Sequence, residues 1–471
     1  MYSQWFSKAN LASPLSFLCL VPTIMAQEPW MGIHIRIGKE KLLLFLYFAG
    51  IIFVGSVLLS LPFATSGGRM RYIDALFTAT SAVCVTGLTV VDTLSLTRAG
   101  QTVVILLIQF GGLGIITFST LYLFLPRRKI SIVTRGLTGD YTVPSFEFRT
   151  RKIIAQIVSW TAAFELTGAL IIWPRLSQHG YTLFDALFHA ISAFCNAGFS
   201  TLRSGMESFR DDVLMNSVTM ILIVAGGLGF IVLQDIARFI RREKLHLTYH
   251  SSIVLRTSAA LILCGAACFL ALEHNHAYRG MSGGSKVMAS FFQSVTARTA
   301  GFDTIPQAKL SSAAQFVTIL LMFIGASPGS TGGGVKTTTF YLMLLVALRF
   351  REGGGVLVDR NRTIVPSSVF KAAAVMVRGA LIVLVVTVTL LIAERAQGRQ
   401  VGIETAVFES VSAFGTVGLS IGITPTLSVI SKLALIGAMF MGRVGLFAMA
   451  IPHSRLSAEP YAMAPKADIL L

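Results

Sequence analysis

The sequence predicts an all-α polytopic membrane protein: four tandem repeats of span, pore helix, loop and span around one pseudo-fourfold pore. Three features carry this: long apolar runs, basic residues concentrated in alternate loops, and a short segment that occurs four times. Only 13% of the 471 residues are charged, against about a quarter in soluble domains, and mean hydropathy is +0.72. A helix needs roughly 20 apolar residues to cross the hydrocarbon core. Eight runs meet or approach this: 42–63, 101–125, 153–173, 213–240, 253–272, 313–347, 369–393 and 427–451. The loops between them are too short for a soluble module, so regulatory machinery is expected on another chain.

The net charge of +17 would suggest nucleic acid on a soluble protein. Here its placement argues otherwise. Basic residues gather at Arg127, Arg128, Lys129, Arg135, Arg149, Arg151 and Lys152, at Arg238, Arg241, Arg242 and Lys244, and at Arg349, Arg351, Arg360, Arg362 and Lys371. The intervening loops carry fewer. This positive-inside pattern puts the three basic loops and both chain ends in the cytoplasm. The excess charge then reads as topology and contact with anionic membrane lipids, with no nucleic-acid site. The odd cysteine count argues against a disulfide framework; Cys264 and Cys268, four apart on an expected helix, read as small packing residues. Residues 1–41 read as a cytoplasmic or interfacial tail, not a secretory signal.

Four segments align without gaps on one glycine each: Gly87, Gly198, Gly301 and Gly418. Alanine stands twelve residues before (Ala75, Ala186, Ala289, Ala406) and phenylalanine ten before (Phe77, Phe188, Phe291, Phe408). Serine stands six before in three of them (Ser81, Ser192, Ser412), with Val295 in the third. The apolar helix preceding each glycine is too short to cross a bilayer and reads as re-entrant. Irregular backbone at membrane depth survives only where protein buries it or water lines it. The expected organisation is a tail 1–41, repeat one 42–125, a cytoplasmic loop 126–152, repeat two 153–242, repeat three 243–350, a cytoplasmic loop 351–368, repeat four 369–453 and a tail 454–471.

Glycine reaches positive φ without steric cost, which lets successive carbonyls turn toward an axis and replace a cation's water shell. The short helices would aim their partially negative C-terminal ends at the same place. The expected filter is Val85, Thr86 and Gly87; Asn196, Ala197 and Gly198; Thr299, Ala300 and Gly301; Thr416, Val417 and Gly418, with potassium at their carbonyls. Close helix packing is the competing reading of these glycines. No Ser/His/Asp set, paired carboxylates or metal-ligand spacing suggests an enzyme.

The stretches VTGLTVVDT, SAFCNAGFS, TARTAGFDT and SAFGTVGLS resemble the four pore loops of the Trk/Ktr/HKT superfamily of potassium transporters. Similarity runs from about residue 42 to 453 and is strongest to the bacterial KtrB membrane subunits, through the MFMGRVG ending at 439–445. STGGGVK, at 330–336, also looks like the related TrkH proteins. The resemblance implies a homodimer in the plasma (inner) membrane taking up potassium through a channel-like pore, often with sodium stimulation. It also implies a cytosolic KtrA-like ring that binds ATP/ADP or NAD(H), with no covalent cofactor on this chain. The alternatives are a TrkH-like potassium transporter and, behind it, a sodium-coupled secondary transporter of another solute, which would call for inverted repeats.

Gly111, Gly325 and Gly442 recur twenty-four residues after the filter glycine, whereas repeat two has Gly226 four residues later. In repeat three, glycine and proline should break the span over Gly325, Ser327, Pro328, Gly329, Ser330, Thr331, Gly332, Gly333, Gly334 and Lys336. The KtrB resemblance implies an intramembrane gate there, below the filter. Arg443, costly inside a span, is expected at the same depth as a positive barrier or a partner for that loop. Asp92 and Asp303, just after two filters, read either as outer negative potential or as loop caps. Glu409 reads as a buried hydrogen-bonding residue.

Overall fold

The computed structural model describes residues 39–124, 150–349, 357–360 and 362–445. From Leu43 onward these belong to one compact unit, Leu43–His453. The expected tails, the loop 126–152 nearly throughout, the start of the loop 351–368 and the last part of the final span lie outside the described residues. The helices run α1 (Lys39–Ser60), α2 (Tyr72–Val83), α3 (Arg98–Phe124), α4 (Thr150–Gln178), α5 (Leu183–Phe194), α6 (Val213–Leu228), α7 (Phe230–Ile240), α8 (Tyr249–Glu273) and α9 (Gly283–Thr296). Then come α10 (Ser312–Phe323), α11 (Thr337–Arg349), α12 (Pro366–Ala396), α13 (Ile403–Gly415) and α14 (Val429–Phe440), which runs into a π-helical turn at Met441–Gly445. Two two-residue strands, β1 (Val358–Asp359) and β2 (Arg362–Thr363), pair antiparallel.

Five of the described helices are long and apolar enough to cross a membrane: α1, α3, α4, α8 and α12. The bent pair α6 and α7 would make six. The other two expected spans divide as their sequences suggest: 313–347 separates into α10 and α11, and 427–451 ends beyond the described residues. The run 213–240 differs from expectation. It breaks at Gly229, φ 92°, with a bend of 106°.

Each second span begins on a side-chain cap: Thr97 for α3, Asp212 for α6, Ser311 for α10 and Ser428 for α14. Each satisfies backbone N–H groups that the first turn leaves free. Thr97, Ser311 and Ser428 stand ten residues after their filter glycines, and Asp212 stands fourteen after. Repeat two therefore carries four extra residues in the loop between its filter glycine and its second span. That removes the offset of Gly226, which becomes the positional equivalent of Gly111, Gly325 and Gly442.

The short helices α2, α5, α9 and α13 are the most enclosed elements. Ala75, Ala186, Ala289 and Ala406 are buried, as are Phe77, Phe188 and Phe408. In repeat three the expected Phe291 is only partly buried, and Phe292 takes the core position instead. Two ion pairs tie neighbouring repeats at this level. Asp74 on α2 accepts from Lys432 on α14 at 2.7 Å, fully enclosed, and Asp185 on α5 meets Arg98 on α3 at 2.6 Å. Cys264 and Cys268 lie on the exposed side of α8 and are not the packing residues expected.

Candidate ion pathway

The four glycines form a closed ring. A methyl group on Gly87 would come within 2.5 Å of the Ala197 carbonyl oxygen, on Gly198 within 3.0 Å of the Ala300 oxygen, on Gly301 within 2.4 Å of the Val417 oxygen and on Gly418 within 2.1 Å of the Thr86 oxygen. Each glycine thus abuts the carbonyl preceding the glycine of the next repeat, and the fourth returns to the first. All four have φ between 71° and 94°.

The residue two before each glycine is also left-handed: Val85 (56°), Asn196 (59°), Thr299 (77°) and Thr416 (50°). Sequence reasoning missed this. Asparagine visits that region readily, but for β-branched valine and threonine it is an outlier, at a cost of order 1–3 kcal/mol each. The surrounding bonds hold it. The N–H groups of Thr86, Ala197 and Val417 donate five residues back to the carbonyls of Ser81, Ser192 and Ser412 at 2.7–2.9 Å. Ser81 and Ser412 also accept from the N–H of Gly87 and Gly418, at 3.1 Å each. Those serines were the visible signal of a backbone clamp. Repeat three replaces it: Ala300 donates to the Thr296 carbonyl at 3.0 Å, and the Thr296 hydroxyl donates to the Phe302 carbonyl at 2.5 Å.

Beneath the ring, three repeats match. A methyl on Gly111, Gly226 or Gly442 would lie 1.9, 1.8 or 1.7 Å from a carbonyl oxygen in the last turn of the local short helix: Val83, Phe194 or Phe414. Only glycine lets the second span approach so closely. Gly325 instead abuts Gly333, 2.0 Å from a methyl to its oxygen, because repeat three inserts a loop there.

That loop reaches three neighbours. The Gly333 N–H donates to the Thr416 hydroxyl at 3.0 Å, and Gly332 lies against the Thr299 hydroxyl. Ser327 and Thr331 donate from their N–H groups to the carbonyls of Gly227 and Gly226 at 3.0 and 3.2 Å, and the Phe230 N–H donates to the Gly329 carbonyl at 3.1 Å. The break in α6–α7 and the break in α10–α11 therefore satisfy one another's free backbone groups. Arg443, 3% exposed, sits in the π-helical turn and donates to the carbonyls of Thr331 and of Gly111, the latter at 3.1 Å. Lys336 donates back to the Gly332 carbonyl at 2.7 Å. Gly332 and Gly333 thus lie against Thr299 and Thr416 of the ring segments, and Arg443 joins the same loop at Thr331.

On the other side of the ring, Asp92 caps a short turn by accepting from the Leu94 N–H at 3.0 Å. Glu409 accepts from the Ser420 and Thr424 hydroxyls and the Ile421 N–H at 2.5–3.1 Å, which anchors the loop leaving the fourth glycine. Asp303 lies in the loop after the third glycine; burial, then the nearby Glu207 charge, pushes its carboxyl up to about 7. Among the described residues no cluster of three or more His, Cys, Asp or Glu could hold a metal ion.

The chain matches the TrkH family, described as cation transport protein, over residues 51–460. It is 36% identical over 446 residues to the potassium/sodium uptake protein NtpJ of Enterococcus hirae, covering 93% of this chain and 98% of that one. It is 38% identical over 419 residues to the Ktr system potassium uptake protein B of Bacillus subtilis, covering 87% and 92%. In fold it resembles the potassium transporter TrkH from Vibrio parahaemolyticus, with TM-score 0.71 at 22% identity over 92% of this chain and 89% of that one. Apolar helices, a family match over most of the chain and relatives that cover most of it lead to one conclusion: this mostly helical integral membrane protein is not an enzyme but a member of the TrkH cation transport family.

Proposed function

We propose that this chain takes up potassium across the plasma membrane through a pore whose filter is the carbonyl ring at Gly87, Gly198, Gly301 and Gly418. The observation that carries the reading is the double left-handed conformation, at the glycine and two residues before it, in all four loop segments. Such strain persists where surroundings over-determine it, and turning carbonyls toward a cation is work that it does. The loop 325–336 is the gate, tethered by Arg443, whose charge adds a barrier to cations. Both chain ends are cytoplasmic. The functional unit is a homodimer with a cytosolic nucleotide-binding ring; the "Ktr system" names of relatives support a partner subunit. Sodium is a stimulant or second ion, in keeping with the potassium/sodium name of NtpJ.

The test is ion flux into liposomes holding the purified protein, with potassium, rubidium and sodium compared beside Gly418→Asp. Potassium-selective uptake that the variant loses is expected. Uptake indifferent to that change, or requiring an organic solute, would return the glycines to a packing role and favour a secondary transporter.

A further inference from the structure

The sharp bend at Gly229 turns α7 out of the line of α6, and between α7 and the start of α4 lies a cavity of about 190 Å³. Its lining includes Gln156 and Trp160 from α4, Phe230 from α7, and Arg238, Arg241 and Glu243 at the basic end of α7. Trp160 and Phe230 meet edge to face, ring centroids 6.2 Å apart, as one wall. At about 30 Å³ per water, the volume suits a phosphate with its glycerol ester better than a single ion. Arginine's planar fork matches phosphate oxygens. Next to the two arginines the segment exposes Phe239, Ile240 and Leu245, at 46%, 72% and 84%. Cationic and apolar groups alternating on a strongly amphipathic helix are the mark of a helix lying in a membrane interface. A free anion would have no use for that apolar rim.

We propose that this cavity holds the headgroup of an anionic phospholipid from the cytoplasmic leaflet, and that its occupancy acts on the loop 325–336. Phe230 makes the connection. Its ring walls the cavity, and its N–H donates to the Gly329 carbonyl. The two other bonds between the breaks, from Ser327 and Thr331 to Gly227 and Gly226, lie within four residues of it. Moving the loop out of the pathway means breaking these bonds or carrying the start of α7 along. A lipid that fixes α7 against α4 therefore biases where the loop rests. This coupling rests on the proposed gating role of that loop; the lipid site does not.

The test uses the full chain, Arg238→Gln/Arg241→Gln, and Arg242→Gln, whose side chain does not line the cavity, as control. Phosphatidylglycerol retained by the purified protein is counted by native mass spectrometry. Potassium uptake at saturating potassium is compared in neutral vesicles and in vesicles with about a quarter phosphatidylglycerol. Losing two arginines should weaken retention about thirtyfold and make uptake equal in the two vesicle types. The wild type and Arg242→Gln should retain lipid and respond to it. Wild-type retention by the double variant would remove the site. Lost retention with lipid-dependent uptake intact, or wild-type uptake equal in both vesicles, would remove the coupling. Inorganic phosphate reproducing the effect in neutral vesicles would replace the lipid by a free anion. Absence of uptake in every vesicle would count against the potassium reading, and lipid retention would still decide the site.

Discussion

In the glycine ring, four loop segments with different side chains adopt the same pair of left-handed conformations, and each glycine meets the carbonyl of its neighbour. One layer away from the ring, four equivalent glycines begin the same way and end differently. Three lie on a carbonyl in the last turn of a short helix, and the fourth leads into a loop that fills the space below the ring. The ring is made of backbone, so it tolerates Val85, Asn196, Thr299 and Thr416 at one position. The layer beneath is made of one loop and one arginine, and it has no fourfold order to preserve. Regularity suits a cage of equal ligands, the role proposed for the ring; a single irregular loop suits the control point proposed for the layer beneath it.

The largest effect should come from breaking the ring's regularity. Gly418→Ala places a methyl 2.1 Å from the Thr86 oxygen at φ 90°. Potassium-to-sodium selectivity in liposome flux should fall to about unity; retained selectivity would mean that the ring does not select. Next, Arg443→Gln removes charge-assisted bonds to Thr331 and Gly111. With no cytosolic partner present, uptake should rise about tenfold at unchanged selectivity. A change in selectivity instead would show that the two layers are not separable.

Lys432→Met should leave both layers intact and weaken what surrounds them. It leaves Asp74 with only the exposed Arg71, 2.9 Å from its other oxygen, as an ionic partner, at a cost of about 1–2 kcal/mol. The expected result is a lowered thermal midpoint in detergent with unchanged flux per folded protein. The smallest effect belongs to Asp303. Its carboxyl is charged above about 7 and neutral below it, so uptake at limiting potassium and low salt should increase about twofold as pH rises through that value. In Asp303→Asn the profile should be flat, and an undiminished pH response would assign the titration elsewhere.

Much of the ring was legible because its constraint is local. A glycine that must take positive φ cannot be replaced cheaply, and the alanine, phenylalanine and serine at fixed distances before it pack or bond within the same short helix. Val85, Thr299 and Thr416 were legible as members but not as left-handed residues, since β-branched side chains point the other way. Gly226 was misaligned because the four extra residues sit in a loop with no periodicity to count. The break at Gly229 was hidden inside an apolar run, and what makes it tolerable is a bond to Gly329 in another repeat.

The sequence alone determined membrane residence, which loops carry the positive charge, the four-part repeat and the third break, because hydropathy, charge and glycine act over one helix or one turn. Only the tertiary structure decided that the ring closes on itself, that Arg443 reaches Gly111 across a separation of 332 residues, and that two broken spans complete each other. Those features depend on backbone groups meeting across repeats, and a carbonyl leaves no mark in the sequence.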